Sequence, residues 1–268
     1  MKILFNNNLE SLYAIDYCIN RGQNIIRQAE NLPNQDFFDE LYRVYLEKIS
    51  DVARDDAVSI GDYHRKAEYA LNPQNTLPEL GAFQSYFVQK KDLQNAIIAD
   101  AENSEAITQL HLEGLRSFFG IANDNGINII LSMFINGGFG IFNGESNIIL
   151  GVKYDSTTSR YKIANYDVNN VYHDFSAPYV HMYLYEEGIN INGDVEQLSE
   201  IITRVLEIIF TSRLYGNQYI ESALQAQDKM RLGQIRIFLS EYLENKAKIY
   251  TLKDYVDILL ADGLVAKA

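Results

Sequence analysis

The sequence predicts an α+β protein that is mostly helical and contains one small β-sheet. Two observations lead to this fold class. Apolar residues recur at helical spacing in the first half and the last third of the chain, whereas two short β-branched runs, 127–134 and 147–152, lie between them. Because only four prolines occur in 268 residues, we expect one continuous structure with little linker-like sequence.

The first half of the chain is predicted to fold into helices that pack through apolar stripes. Phe37, Leu41 and Tyr45 are spaced four residues apart, so they would lie on one face of a helix. The predicted helices span about residues 8–21, 35–54, 78–101 and 104–121.

The two β-branched runs are predicted to be paired strands of the small sheet. The turn between them, Asn136-Gly137-Gly138-Phe139-Gly140, is rich in glycine. It lacks the glycine spacing of a phosphate-binding loop and leads into a strand rather than a helix. The sequence therefore does not predict a nucleotide site.

Helical periodicity returns after the strands and continues to the end of the chain. Thr251, with Asp254 three residues later, is a variant of the capping box and predicts the start of the last helix. The predicted helices span about residues 165–187, 194–213, 230–245 and 251–261.

Composition limits the classes of partner. The formal net charge of −13 and the absence of a Lys/Arg run argue against nucleic-acid binding. The apolar run at the amino terminus is too short for a secretory leader, and no stretch is long enough to span a membrane, so we expect a cytoplasmic protein. The single cysteine, Cys18, lies in an apolar pattern and is predicted to be a buried thiol. Oligomeric state is not predicted.

The segment around His173 is similar to the metal-binding helix of zinc peptidases. In H-E-x-x-H helices two histidines one turn apart hold zinc, and the glutamate activates the metal-bound water. His173 stands in the first histidine position, Asp174 replaces the glutamate, and Ala177 replaces the second histidine. Glu200, on the following predicted helix, is placed where Glu-zincins carry their third ligand.

Residues 115–260 together resemble an uncharacterised bacterial family of Glu-zincin (gluzincin) metallopeptidases with a degenerate H-E-x-x-H motif. The resemblance implies a zincin-like core over 123–268, with a small sheet and a metal-site helix pair, and a helical part over 1–122. It implies His173 and Glu200 as zinc ligands. The matching features are Phe118-Phe119-Gly120, Gly138-Phe139-Gly140, Ile148-Ile149-Leu150-Gly151, Tyr172-His173-Asp174-Phe175-Ser176, Glu200 with Arg204, and Tyr242-Leu243-Glu244-Asn245-Lys246.

Two departures question the chemistry. A catalytic zinc takes three protein ligands and a water, and Ala177 leaves only two. His181 lies eight residues from His173, roughly 12 Å along a helix, so it does not replace the missing ligand. Asp174 is shorter than glutamate by one bond of roughly 1.5 Å, which withdraws the general base from a metal-bound water.

We therefore expect a degenerate, non-catalytic zincin-like protein with no cofactor, which binds a peptide or protein in its inherited cleft. Strand addition along 127–133 or 148–152 would align such a peptide.

Two alternatives stay open. An active, divergent zinc metallopeptidase would hold zinc through His173, Glu200 and an unidentified third group, for which His181 and Asp174 are weak candidates. A helical interaction protein unrelated to zincins would have an ordinary His173 and an exposed ion pair between Glu200 and Arg204. The zincin hypothesis requires His173, Ala177 and Glu200 to converge on one cleft.

Overall fold

The structure is a computed structural model that describes residues 2–22, 35–108, 112–121, 127–142, 145–164, 168–227 and 229–267. The chain divides into two compact units: unit 1 is Met1–Thr108 with Ile127–Asp167, and unit 2 is Gln109–Gly126 with Val168–Ala268. The protein is mostly helical and has a small mixed sheet, so the predicted α+β class is confirmed. Among the described residues, no helix is long and apolar enough to cross a membrane.

Unit 1 opens with a short strand and continues into helices whose starts are set by polar side chains. Asn6 accepts hydrogen bonds of 3.0 Å from the backbone N–H groups of Asn8 and Leu9, which caps the first helix. The predicted burial of the Cys18 thiol on this helix is confirmed. The helices are α1 (Asn7–Gly22), α2 (Gln35–Lys48), α3 (Asp51–Ser59), α4 (Tyr63–Leu71), α5 (Gly81–Gln89), α6 (Lys91–Glu102) and α7 (Glu105–Thr108), with a 3-10 turn at Pro78–Leu80.

The single helix predicted over 35–54 is in fact two helices, because Ser50 interrupts it. The backbone of Ser50 is extended (φ −74°, ψ 159°), and its hydroxyl accepts a hydrogen bond of 3.2 Å from the Ala53 N–H. A serine that satisfies a free N–H in this way starts a new helix instead of continuing the old one. The helix predicted over 78–101 is likewise divided, at Lys90.

The sheet of unit 1 confirms the predicted pairing and adds strands to it. The two β-branched runs are neighbours and run parallel, with Ile129 opposite Ile148. The amino-terminal strand, which the sequence did not predict, pairs in parallel with the first run and places Ile3 opposite Ile129. The strands are β1 (Lys2–Phe5), β2 (Ile127–Ser132), β3 (Gly138–Phe142), β4 (Ser146–Asp155) and β5 (Arg160–Ile163), in the order β1-β2-β4-β3, with β5 also pairing with β4.

The hypothesis that 127–133 or 148–152 offers an edge for peptide addition is wrong. β2 lies between β1 and β4, and β4 lies between β2 and β3. Their backbone hydrogen-bonding groups are therefore already used within the sheet, and an added strand would have to displace a native one. A central parallel strand is buried on both faces and is therefore apolar throughout. The pattern that predicted β2 and β4 is thus typical of central strands rather than of edge strands.

Gly151 explains why the glycine-rich turn packs tightly against β4. The Gly151 N–H donates a hydrogen bond of 2.7 Å to the Gly137 carbonyl, and a Cβ at position 151 would lie 2.2 Å from the Ile135 carbonyl oxygen. Only glycine allows the two backbones to approach so closely. The turn between β2 and β3 is thus held against β4 by direct backbone contact.

Unit 1 also buries a carboxylic acid in its core. Glu10, on α1, is fully buried; one carboxyl oxygen accepts a hydrogen bond of 3.2 Å from the Met133 N–H at the end of β2. The other oxygen has no hydrogen-bond partner, and Glu10 has no cationic partner among the described residues. Burial raises the pKa of Glu10 to about 8, although the hydrogen bonds from Ser132 and Met133 act to lower it.

Unit 2 is built around two long helices that pack against each other and match the prediction. The predicted helices over 165–187 and 194–213 are observed as α9 and α10, apart from residues 165–167, which lie outside the described residues. The Thr251–Asp254 capping box is confirmed by its reciprocal hydrogen bonds, whereas α11 was not predicted. The helices are α8 (Leu112–Phe119), α9 (Val168–Glu187), α10 (Val195–Tyr215), α11 (Gln218–Gln225), α12 (Lys229–Asn245) and α13 (Leu252–Ala261), with β6 (Ile189–Asn190) pairing antiparallel with β7 (Ala266–Lys267).

The units follow a different line from the predicted division. Strands from both halves of the chain share the sheet of unit 1, and α8 belongs to unit 2. The helix predicted over 104–121 is observed as α7 and α8, and its residues 109–111 lie outside the described residues. The predicted boundary between a helical part, 1–122, and a zincin-like core, 123–268, falls on residues that are also outside them. That division stays a prediction.

Candidate functional site

His173 lies on the side of α9 that faces α10, where it contacts a carboxylate with each edge of its ring. Nδ1 is 2.8 Å from an oxygen of Asp174, and Nε2 is 3.7 Å from Oε2 of Glu200. The second distance is that of an ion pair and is too long for a hydrogen bond. Nε2 is buried and has no hydrogen-bond partner among the described residues. The imidazole is therefore held from one side and aimed at Glu200 on the other.

Glu200 is shared between the imidazole and two guanidinium groups. Its Oε1 lies 3.0 Å from Nε of Arg204 and 3.4 Å from Nη1 of Arg231. Arg204 also reaches Glu207, with Nη1 to Oε2 at 2.8 Å. We call this group the ion network; its members are His173, Asp174, Glu200, Arg204, Glu207 and Arg231.

The pKa values within the ion network favour charged His173 and Glu200 at neutral pH. Burial by itself would lower the pKa of His173, but the carboxylates of Asp174 and Glu200 raise it to about 9. The imidazole in turn lowers the pKa of Glu200 to about 2, with help from Arg204. The two groups therefore stabilise each other as an imidazolium–carboxylate pair.

Glu207 is the most deeply buried member of the ion network. Its side chain is only 6% exposed, and burial raises its pKa while Arg204 opposes that rise. Asn169 adds a weak contact, with Nδ2 at 3.5 Å from the second carboxyl oxygen. With Glu207 ionised, three cations face three carboxylates, so the ion network is electrically balanced.

Asp174 occupies a different place from that of a general base on a metal-bound water. It contacts Nδ1 of His173, which is the ring nitrogen opposite the one directed at Glu200. A carboxylate in this position fixes the ring orientation and favours the imidazolium. The geometry gives Asp174 an orienting part in the ion network.

The ion network supplies two of the donors that a zinc ion needs and no third. Two ligands of a tetrahedral zinc, each about 2.0–2.2 Å from the metal, lie roughly 3.4 Å apart. The 3.7 Å between His173 Nε2 and Glu200 Oε2 is close to that spacing. However, position 177 is an alanine, and two guanidinium groups already contact Glu200. Among the described residues, no three His, Cys, Asp or Glu side chains are grouped to hold a metal. The residues present do not fit a catalytic zinc.

His181 is engaged outside the ion network. Its Nδ1 lies 3.5 Å from Glu196, and its ring stacks on Tyr185 with the ring centres 6.3 Å apart. His181 lies eight residues after His173 on α9, so the two rings are about two helical turns apart and contact different side chains.

A cavity of about 340 Å³ adjoins the ion network. Its wall is mostly polar, and Arg231, which is half exposed, stands at its rim. The cavity is lined by Asn169, Glu200, Ile201, Arg204, Glu207, Ala226, Gln227, Arg231 and Ile235. It is large enough for one or two side chains of a bound molecule.

The structure brings together His173 and Glu200, the two residues that the sequence paired, while their role as metal ligands stays a prediction. It also shows the ion pair between Glu200 and Arg204 that the alternative hypothesis expected. Glu207 and Arg231 were missed. The spacing of Glu207, three residues after Arg204, was a usable signal. Arg231 is distant in sequence and had none.

Comparison of the chain with known protein families, with curated proteins and with solved structures finds no match.

Proposed function

We propose that the protein is a zincin-like metallopeptidase homologue with a degenerate metal site, and that it acts by binding a peptide or a protein segment rather than by hydrolysis. One observation carries the proposal. His173 and Glu200 approach each other at near-ligand spacing, while Arg204 and Arg231 supply the positive charge that Glu200 would otherwise share with a metal. An ion network of this kind supports a binding surface without a Lewis acid.

The cavity beside the ion network is the proposed binding place. Arg231 presents a half-exposed guanidinium, and Gln227 lies next to it on the same wall. Both side chains bind the backbone and carboxylate groups of peptides well, because their donors are planar and fixed in geometry. Peptide recognition there would use hydrogen bonds that do not depend on a metal.

Restoration of the motif tests the ancestry. We predict that the double substitution Asp174→Glu with Ala177→His creates zinc affinity where the native chain has little. Adding Arg231→Ala should tighten zinc binding further, because Glu200 loses a competing cation. Metal analysis of untagged protein after dialysis against zinc, alongside Ala177→Leu as a control without a donor, measures the effect. Equal zinc content in all variants would remove the support for a decayed metal site.

Peptide selection tests the binding role. A displayed library of random octapeptides should yield binders of the native protein that bind the variant Arg231→Glu at least about tenfold more weakly, because a charge contact becomes a repulsion. Arg236→Glu, an exposed reversal on the same helix outside the cavity, is the matched control and should have no effect. Mass spectrometry should recover the bound peptides intact.

The same experiments separate the alternatives. One zinc per native chain with chelator-sensitive cleavage of the peptides would establish an active metallopeptidase and refute the proposal. Failure to select any peptide sensitive to Arg231 would favour an interaction protein that uses another surface.

A further inference from the structure

Unit 2 contains a second cavity, of about 320 Å³, that shares no lining residue with the cavity beside the ion network. Three segments form it: the end of α8, one face of α9 and the start of α13. Its wall is mainly apolar and aromatic. We call it the aromatic pocket; it is lined by Phe118, Phe119, Gly120, Tyr179, Met182, Tyr183, Glu186, Thr251, Leu252 and Lys253.

The aromatic pocket contains a half-buried tyrosine, Tyr183, whose ring contacts no other described aromatic ring. Tyr179 is stacked on Phe119, with ring centres 5.2 Å apart and planes inclined by 26°. Tyr183, one helical turn after Tyr179, faces the same side of α9 and is half-buried. Within the described residues Tyr183 makes no ring contact and no hydrogen bond. Tyr183 thus lines the aromatic pocket with its ring and hydroxyl not engaged by another described aromatic ring or hydrogen-bonding group.

The charges around the aromatic pocket favour a cationic ligand. Glu186 lies on the wall, is exposed, and forms no ion pair with any described residue. The two lysines nearby are already paired: Lys253 with Asp257 at 2.5 Å and Lys267 with Glu187 at 2.7 Å.

The pKa of Tyr183 is raised by burial and by the carboxylates around it. Burial first, and then the charges of Asp257, Glu187 and Asp254, raise its pKa, while Lys253 opposes the rise. Burial raises the pKa of Tyr179 to about 12, and the positive charge of Arg116 opposes that rise. The charged groups named here are four carboxylates (Glu186, Glu187, Asp254 and Asp257) and three cations (Arg116, Lys253 and Lys267).

We propose that the aromatic pocket binds a lysine or arginine side chain from a basic segment of a partner protein. The aliphatic stem packs against Met182 and Leu252, and the charged group lies over the face of Tyr183 and within reach of Glu186. An acidic side chain would meet no unpaired lysine there. The net charge of −13 on the whole chain attracts a basic partner in the same sense.

A methionine-methyl experiment tests the proposal, because the chain has only four methionines. The protein is labelled with ¹³C-methyl methionine and titrated with the peptide acetyl-Gly-Arg-Gly-amide. We expect the Met182 methyl signal, assigned with Met182→Leu, to shift and saturate while that of Met133 in unit 1 stays in place. Citrulline, the uncharged isostere of arginine, should bind at least about fivefold more weakly in the same peptide. Raising the salt concentration should weaken the arginine peptide and leave the citrulline peptide unchanged.

Two variants examine the residues named. Glu186→Gln should weaken the arginine peptide about threefold, and Tyr183→Leu about fivefold, since the latter keeps apolar volume and removes the π-face. Glu221→Gln, an exposed carboxylate on α11, is the matched control and should have no effect. Thermal unfolding confirms that each variant is folded, and Glu186, being exposed, is the safer of the two.

The proposal is overturned if Met182 does not respond to the arginine peptide at millimolar concentration. It is also overturned if citrulline or norleucine binds as tightly as arginine, since the occupant would then be selected for apolar surface alone.

Discussion

The two units each bury a glutamate, and they do so in opposite ways. Glu10 in unit 1 is fully buried, has one oxygen without a hydrogen-bond partner, and meets no cation among the described residues. Glu207 in unit 2 is nearly as buried but lies 2.8 Å from the guanidinium of Arg204. Burial raises the pKa of both, to about 8 for Glu10, whereas Arg204 works against the rise at Glu207.

The comparison shows what a partner decides for a buried acid. Without a cation, the carboxyl group keeps its proton and acts as a neutral side chain in the core. A nearby cation stabilises the ionised form, and the carboxylate can then hold a guanidinium in place for other contacts. Arg204 is then fixed between Glu200 and Glu207. The buried carboxylate of Glu207 thereby positions a guanidinium that lines the proposed binding cavity.

The largest expected effect concerns Glu10. Its pKa is about 8 in the folded protein and near 4.5 when unfolded, so the folded state holds the extra proton between those values. Stability from this group is therefore fully present below pH 4.5 and is lost as the pH rises through 8, by roughly 5 kcal/mol. Glu10→Gln should remove that loss. Urea unfolding of the full chain at pH 5, 7 and 9, for the native protein and for the variant, measures it.

Equal pH dependence in the native protein and Glu10→Gln would contradict the neutral state of Glu10. Asp36→Asn, an exposed acid in the same unit, is a suitable control because it changes the net charge by the same amount.

The second effect concerns Arg204. Arg204→Met should destabilise unit 2 by about 2–3 kcal/mol, because it leaves Glu207 buried without its cation; the value is at the low end because Arg204 is one-third exposed. The double variant Arg204→Met with Glu207→Leu should recover most of the loss. A double-mutant cycle by urea unfolding gives the coupling. Additive effects of the two substitutions would mean that Glu207 does not depend on Arg204.

The smallest effect concerns His173. Its pKa of about 9 is raised above the ordinary value of 6.5, so its contribution to stability is complete below pH 6.5 and is lost as the pH rises through 9. Glu200→Gln should lower the pKa of His173 toward the ordinary value, since it removes one of the two carboxylates. NMR titration of the imidazole signal, assigned with His173→Gln, follows the change. An unchanged midpoint would show that Asp174 alone sustains the imidazolium.

Several features of the fold could be predicted because they depend on near neighbours in the chain. The spacing of Phe37, Leu41 and Tyr45 identified a helix, and Thr251 with Asp254 identified a helix start that the structure confirms. Ser50 shows the limit of this reasoning. Its capping hydrogen bond to Ala53 is also local, but apolar periodicity on both sides concealed it.

The candidate site was predictable to the same extent. His173 and Glu200 were identified from two helical segments, and they do approach each other. The prediction of an edge strand at 127–133 or 148–152 was wrong, because the apolar pattern of a strand does not reveal how many neighbouring strands it will have. Arg231 and the aromatic pocket were missed, since each depends on helices that meet only after folding.

The sequence by itself determined the α+β class, most helices, the two β-branched strands and the altered motif at 173–177, because these depend on residues a few positions apart. Only the tertiary structure decided that β1 pairs with β2, where Lys2 lies opposite Asn128 despite their distance in sequence. It alone also decided that Glu10 is buried with no cation beside it among the described residues, and that Arg231 reaches Glu200. The physical reason is that burial and ion pairing depend on which distant segments share a space, and side-chain periodicity specifies faces rather than their partners.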